Sequence, residues 1–305
     1  MVLDGFSSNC SHITSGVPQG SLLGPLLFII FMNSICHVPL SLGCQLILYA
    51  DDILLYKPIN STRDVELLQT DAESILEWIT SHGLTPNHSK TQLLLISRSK
   101  RAPNTSLILS GHTISPSTSV TYLGVTITSN LSWSKHVGNT CSAAKRQLGL
   151  IHRKLHHAPT SVRRKIVMSV VVLKLEYCRA VWDPRLKKDI SALESVQKFA
   201  GRVITQHWSS NIDSLRSDLG WKSLVSRRCT KLKLTYNILN NLSCNPKSTF
   251  TYHPYPSPRH PHNKILFKPY VPTESYLFFF FFSLTGTAYQ HMLSVALPAS
   301  LLNYA

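Results

Sequence analysis

Acidic side chains are scarce in this chain: 15 Asp and Glu stand against 31 Lys and Arg, a formal net charge of +16 over 305 residues. So basic a chain is a poor partner for cationic surfaces and suits a polyanion. Paired cysteines are also lacking. The seven thiols (Cys10, Cys36, Cys44, Cys141, Cys178, Cys229 and Cys244) include no Cys-x-x-Cys. An odd, dispersed set fits reduced cysteines of an intracellular protein rather than a disulfide framework. Cys229, Cys244, His253 and His260 match no common zinc-finger spacing. No apolar run reaches the ~18 to 20 residues that cross a bilayer. The longest are Leu22 to Met32, broken by Gly24 and Pro25, and Tyr276 to Leu284. The first residues carry no basic segment of a secretory signal, so the expectation is an intracellular chain with no membrane partner.

Hydrophobic residues make up 43% of the chain, ample for a core, and its length suits about two domains. The charge is unevenly placed. Residues 1–128 hold 6 basic and 8 acidic groups, residues 129–245 hold 21 and 6, and residues 246–305 hold 4 and 1. A near-neutral first part followed by a strongly basic one suits a protein that does chemistry with one part and grips a phosphate backbone with the other.

The first part is organised around Leu46-Ile47-Leu48-Tyr49-Ala50-Asp51-Asp52-Ile53-Leu54-Leu55-Tyr56. Two apolar arms of strand composition enclose a short polar tip, which predicts strand, tight turn, strand. Asp is a common turn residue because it bonds its own backbone. Two adjacent carboxylates at the tip of a buried hairpin can also hold a divalent metal through hard oxygen ligands. Upstream, Ser15-Gly16-Val17-Pro18-Gln19-Gly20-Ser21 precedes the apolar run that continues to about Ile35. Glycines on both sides of Pro18-Gln19 let the backbone approach a ligand closely, and Ser21 is placed to cap a following helix.

Ser15-Gly16-Val17-Pro18-Gln19-Gly20-Ser21-x-x-Gly24-Pro25, followed some 25 residues later by Tyr49-Ala50-Asp51-Asp52, closely resembles the reverse transcriptases of non-LTR (LINE-like) retrotransposons. The resemblance implies RNA-templated DNA synthesis, in which a primer 3′-hydroxyl attacks the α-phosphate of a dNTP under Mg²⁺, with Mn²⁺ as a substitute. It implies that Gly16, Pro18, Gln19, Gly20, Ser21 and Tyr49 shape the nucleotide and template pocket. Asp51 would be the principal metal ligand and Asp52 its neighbour. Leu84-Thr85-Pro86-Asn87-His88-Ser89-Lys90-Thr91 is similar to the family's next segment, whose lysine is proposed to steady the leaving pyrophosphate. That makes Lys90 a catalytic candidate, although a Lys entering a strand is otherwise ordinary. Tyr122-Leu123-Gly124 resembles the family's primer grip, which holds the primer 3′ end. Strand packing alone would account for Leu123 equally well.

The intervening elements are read from periodicity. Asp64 to Ser81 predicts an amphipathic helix with Val65, Leu68, Ala72, Ile75 and Ile79 inside, acids 64, 66, 71, 73 and 77 outside, and Gly83 as terminator. Gln92 to Ile96 predicts a strand, Leu107 to Ile114 a hairpin around Ser110-Gly111, and Val120 to Ile127 a further alternating segment. Helices are predicted over 135–157, 161–179 and 188–204, the last with Ile190, Leu193, Val196, Ala200 and Val203 on one stripe. Lys145, Arg146, Arg153, Lys154, Arg163, Arg164 and Lys165 crowd these helices and can follow a phosphate backbone without reading sequence. Tyr177 and Trp182 read as core aromatics. Leu175-Glu176-Tyr177-Cys178 with Val181-Trp182-Asp183-Pro184 matches the region after the polymerase core in the same retrotransposons.

The expected architecture is α+β: a partial polymerase palm, an antiparallel sheet with helices, over 1–128. A basic helical thumb-like domain follows over 129–245, and a degenerate tail of low order over 246–305. Within that tail, Phe278 to Phe282 read as an aggregation-prone run. The family's third metal-binding aspartate lies upstream of the Gly-rich segment, and nothing in residues 1–15 fits it. Asp4 reads as a turn residue. The resemblance therefore implies a chain that is inactive by itself. The partners implied are an RNA template, a DNA primer and dNTP, and the location implied is the nucleus, with Arg163-Arg164-Lys165 and Arg185 to Lys188 as basic clusters. The competing reading is a non-catalytic nucleic-acid-binding remnant of a retroelement. A group II intron-type maturase shares Tyr-Ala-Asp-Asp but not the pattern after Val120. Oligomeric state is not legible.

Overall fold

The structure is a computed structural model, and it describes residues 2–3, 6–7, 22–97, 106–208, 211–221, 233, 236–238, 240–242 and 276–283. The chain forms two compact units, residues 1–93, 104–115 and 277–293 in the first and 94–103, 116–276 and 294–305 in the second.

In the first unit, β1 (Val2–Leu3) and β2 (Phe6–Ser7) form a minimal antiparallel pair. Helix α1 (Gly24–Asn33) starts with Pro25 in its first turn, where a missing N–H costs nothing. Its N-cap position is Leu23 with no side-chain cap, and Ser21 lies outside the described residues. A tight turn, Ser34–His37, leads to β3 (Gln45–Tyr49) and β4 (Asp52–Ile59), which pair antiparallel with Tyr49 opposite Asp52. β4 lies between β3 and another strand, so Ile53, Leu54, Leu55, Tyr56 and Lys57 are all buried and the strand is apolar on both faces. Pro58 sits beyond the last β3 partner, where its lack of an N–H breaks no rung.

Helix α2 (Thr62–Ser81) opens with a reciprocal cap in which Ser61 Oγ accepts from Asp64 N–H and the Asp64 carboxylate accepts from Ser61 N–H. Gly83 at φ +72 closes it in the left-handed conformation that favours glycine. Of the predicted stripe, Leu68, Ala72, Ile75 and Ile79 are buried and Val65 is half-buried. One expectation is corrected. Asp71 does not join the solvated acids: it is 3% exposed. Its Oδ1 accepts from the Ser41 N–H (2.8 Å) and its Oδ2 from the Ser41 hydroxyl (2.5 Å). Lys57, 1% exposed, donates to the same hydroxyl (2.8 Å) and to the Leu42 carbonyl (2.6 Å). A carboxylate and an ammonium are thus both satisfied through one serine, which joins β4, α2 and the turn before β3. Burial, followed by the bond and charge of Asp71, pushes the Cys44 thiol up.

Strand β5 (Gln92–Ile96) runs from the first unit into the second. The first unit is completed by the hairpin β6 (Leu107–Leu109) and β7 (His112–Ile114), turned by Ser110 at φ +48 and Gly111 at φ +77, as predicted.

The second unit contains the short β8 (Pro116–Ser117) and a hairpin, β9 (Ser119–Tyr122) with β10 (Val125–Thr128). Helices α3 (Ser134–Lys154), α4 (Thr160–Ile166), α5 (Leu173–Glu176), α6 (Arg179–Trp182), α7 (Lys187–Thr205) and α8 (Ile212–Leu219) follow. A wide-turn segment, Val167–Val172, makes α4 and α5 continuous. α3 packs along α7 and α7 along α8, with Leu215 filling the space where Gly201 lacks a Cβ. At the other end of α7, the Ser134 hydroxyl donates to the buried Asp189 carboxylate (2.7 Å). The predicted helix over 161–179 stops at Glu176, because Tyr177 turns extended and Cys178 takes φ +49. Arg163, expected among the backbone-tracking residues, is 5% exposed. It donates to the carbonyls of Ile204 (2.9 Å), His156 (3.2 Å) and Ala158, which joins the α3–α4 turn to the end of α7. Finally, β11 (Tyr276–Ser283), the phenylalanine-rich stretch, neighbours β4.

Replacing Ser41 by Ala leaves Lys57 with the Leu42 carbonyl alone and Asp71 with the backbone N–H of residue 41 and the Cys44 thiol. The expected loss is about 1 to 3 kcal/mol of stability in urea denaturation. An unchanged midpoint would show that water restores the bridge.

Candidate active site

The hairpin tip is a two-residue turn, Ala50-Asp51, closed by the Tyr49 and Asp52 pair. Ala50 takes φ +51, a left-handed conformation that strains an L-residue. The turn leaves Asp51 and Asp52, as well as Tyr49, partly buried and next to one another in sequence. Burial pushes the Asp51 carboxyl up, against the lowering effect of a bond to its own backbone and of the Lys90 charge. Asp52 is pushed up to about 6, first by burial and then by the charge of Asp51, with Lys90 again pulling the other way. Two carboxylates are therefore held where ionising both is costly.

Lys90 is exposed and comes close enough to act on both acids. Its placement comes from Asn87, whose side-chain oxygen accepts from the Lys90 N–H (3.2 Å) and the Ser89 hydroxyl (2.7 Å). The Asn87 carbonyl meanwhile accepts from the N–H (3.0 Å) and hydroxyl (2.9 Å) of Thr91. The structure thus brings together Asp51, Asp52 and Lys90. Gly16, Pro18, Gln19, Gly20 and Ser21 lie outside the described residues, as do Asp4, Cys229, Cys244, His253 and His260. Among the described residues no three His, Cys, Asp or Glu side chains gather as a metal site. No described helix is long and apolar enough to cross a membrane.

In the second unit, Tyr122, Leu123 and Gly124 form the turn of the β9–β10 hairpin, with Leu123 at φ +46 and Gly124 at φ +78. Two successive left-handed residues give the turn that suits the twist of a tight hairpin. Tyr177 holds it: its hydroxyl donates to the Leu123 carbonyl (2.7 Å), and its ring would lie 3.2 Å from a Cβ at Gly124. Its own carbonyl accepts from the indole N–H of the fully buried Trp182 (2.6 Å). His136 of α3 accepts the Thr126 N–H at Nδ1 (3.1 Å), and burial lowers its pKa and so keeps it neutral in that role. Sequence reasoning took Tyr177 only as core and missed its hold on this turn, for which no local pattern exists. Lys57 did leave a trace, a lone charge in an apolar strand.

The Asp52 shift fixes a pH dependence. Its folded pKa of about 6 lies above the ordinary carboxylate value of about 4. The protonated form is therefore favoured by folding, and that stabilisation is full below about pH 4 and lost as pH rises through about 6. Asp52→Asn should melt above the parent at about pH 8, with the gap closing near pH 4. A gap that widens towards acid would refute the shift. At the other turn, Gly124→Ala should cost at least about 1 kcal/mol, from the left-handed backbone together with the contact on Tyr177. Chemical denaturation reads it.

The family described as reverse transcriptase (RNA-dependent DNA polymerase) matches residues 4–127. The probable RNA-directed DNA polymerase from transposon X-element of Drosophila melanogaster is 24% identical over 220 residues, 68% of this chain and 24% of that protein. The RNA-directed DNA polymerase from mobile element jockey of the same species is 28% identical over 228 residues, 71% of this chain and 25% of that protein. The putative 115 kDa protein in type-1 retrotransposable element R1DM is 32% identical over 141 residues, 46% and 13% of the two chains. The chain thus spans about a quarter of the length of the first two relatives. No solved structure matches. Residues 4–127 thus match the reverse transcriptase (RNA-dependent DNA polymerase) family, and the relatives to which the chain is similar are proteins of mobile elements.

Proposed function

We propose that this chain carries the nucleotidyl-transfer hairpin of an RNA-directed DNA polymerase, followed by a basic thumb-like module that holds the template and primer. The observation that carries the reading is the pair of partly buried carboxylates with Lys90 in electrostatic reach. Hard oxygen donors with a raised cost of ionisation fit Mg²⁺, or Mn²⁺, because a bound dication removes that cost. Asp51 and Asp52 would hold it. When bound, such an ion supplies Lewis-acid polarisation of the phosphoryl group and charge neutralisation.

The chain's own residues account for the remaining steps. Asp52 is ionised above about pH 6 and so presents negative charge to the cation at physiological pH, with the Asp51 carboxyl beside it. Lys90 offers an ammonium to the pyrophosphate that leaves as the primer 3′-oxygen bonds to the α-phosphorus of the dNTP. Tyr122, Leu123 and Gly124, held rigid by Tyr177, support the primer end. Gly16, Pro18, Gln19, Gly20, Ser21 and Tyr49 complete the nucleotide and template pocket. The basic helices supply sequence-independent phosphate contacts. Exposed Arg185, Lys187 and Lys188 fit nuclear import, the buried Arg163 less so.

A second reading, a nucleic-acid-binding remnant without catalysis, is favoured by one observation: no third carboxylate joins Asp51 and Asp52 among the described residues. Mg²⁺-dependent primer extension on an RNA template separates the two, run beside filter binding of the same primer-template. If the polymerase reading holds, the Asp51→Asn/Asp52→Asn chain should lose about 100-fold or more of the extension while keeping its binding. Binding without extension by the parent chain would favour the remnant.

A further inference from the structure

The second unit carries an aromatic patch that none of the roles above uses. The α3 end brings His152 and His156 together, with ring centroids 5.6 Å apart, and His157 lies 5.1 Å from His156. Trp208, just past α7, meets His152 edge-on at 5.0 Å and Phe199 at 6.1 Å. The indole is nevertheless 44% exposed, and His156 and His157 are exposed as well. A large aromatic ring held on one side and open on the other is a ready stacking surface. Its support is rigid. The buried Arg163 guanidinium binds the carbonyls of His156 and Ile204, and the Gln206 amide also donates to the His156 carbonyl.

The electrostatic surroundings point one way. No carboxylate occurs between Glu77 and Glu176, or between Glu194 and Asp213. Both segments that build the patch are therefore free of acidic residues. Exposed Arg153 and Lys154 stand beside His152, and partly exposed Lys198 and Arg202 lie on α7 beside Phe199. Open aromatic faces set among cations match the two features of a single strand, unpaired bases and phosphates. A duplex hides its base faces and offers only its phosphates to such a surface.

We propose that Trp208, supported by His152, His156 and Phe199, is a stacking site for an unpaired base of single-stranded nucleic acid, with Arg153 and Lys154 taking the adjoining phosphates. The proposal rests on the reading of the basic unit as a nucleic-acid-holding module and adds to it a preference for unpaired strand. That surface is suited to template or primer strand outside the paired region.

The test compares a short oligouridylate with a duplex of equal length, bound to the full chain and to Trp208→Ala and Trp208→Phe. Expected is a 5- to 100-fold loss of single-strand affinity in the Ala variant, about the range of one base stacked on an aromatic ring. The Phe variant should recover most of it, and duplex affinity should stay within about twofold. The loss should persist at raised salt, since stacking releases no counterions. Independently of any variant, irradiation of a 5-bromouracil-substituted strand on the parent chain should crosslink at Trp208. Single-strand binding unchanged by Trp208→Ala would overturn the proposal, as would equal losses for strand and duplex, or a Trp208 that governs self-association instead. A parent chain that binds duplex but not single strand would sink the proposal alone. One that binds neither would also remove the nucleic-acid reading of the whole unit.

Discussion

The register of the β3–β4 hairpin is the constraint on which the first unit depends. Side chains alternate along a strand, so a slip of one residue would exchange its two faces and take Asp52 away from Tyr49. Because β4 is apolar on both faces, burial alone would not penalise that slip. Two features do. At one end, the left-handed Ala50 fixes a two-residue turn. At the other, Lys57 is tied to Ser41 and Leu42, and Ser41 to Asp71 of α2. A slip would bury Lys57 without acceptors, which is far more costly than misplacing a leucine. The polar network therefore specifies register, while the aliphatic residues supply most of the burial.

The second unit uses a similar device at its own hairpin. Leu123 and Gly124 fold back through two left-handed residues, and the chain some fifty positions later breaks a helix to support them. Leaving helical geometry at Tyr177 frees its hydroxyl to reach Leu123 and its carbonyl to reach Trp182. The helical hydrogen bond given up there is offset by these two part-buried bonds. The neutral, buried His136 adds a third support through the Thr126 N–H.

Local chemistry made much of this legible in the sequence. The apolar arms around Ala50-Asp51-Asp52, the Ser110-Gly111 turn and the stripe on α7 each state their structure within a few residues. The resemblance to reverse transcriptases could be read from two short segments taken together. What could not be read was set by distance along the chain. Asp71 has the spacing of an exposed acid on α2, and only Ser41, thirty residues away, makes it a buried one. Arg163 looked like one of several surface cations, yet its guanidinium satisfies carbonyls at the ends of α3 and α7. The end of the helix at Glu176 follows from a bond to Leu123 and not from any breaker residue.

The two carboxylates at the hairpin tip oppose the stability of the unit that holds them. Burial and mutual repulsion raise the cost of charging Asp52, and Lys90, exposed to solvent, offsets only part of it. A sequence selected for stability alone would place Asn or Gly in such a turn. Here the turn carries Ala in a left-handed conformation, which local propensity disfavours, followed by two acids. A left-handed residue beside two carboxylates that are costly to ionise is the kind of local conflict that gathers at functional sites. Under the proposed function that remaining negative charge would favour a bound dication, while the tie of Lys57 to Ser41, and of Ser41 to Asp71, holds the register of the strand that carries Asp52.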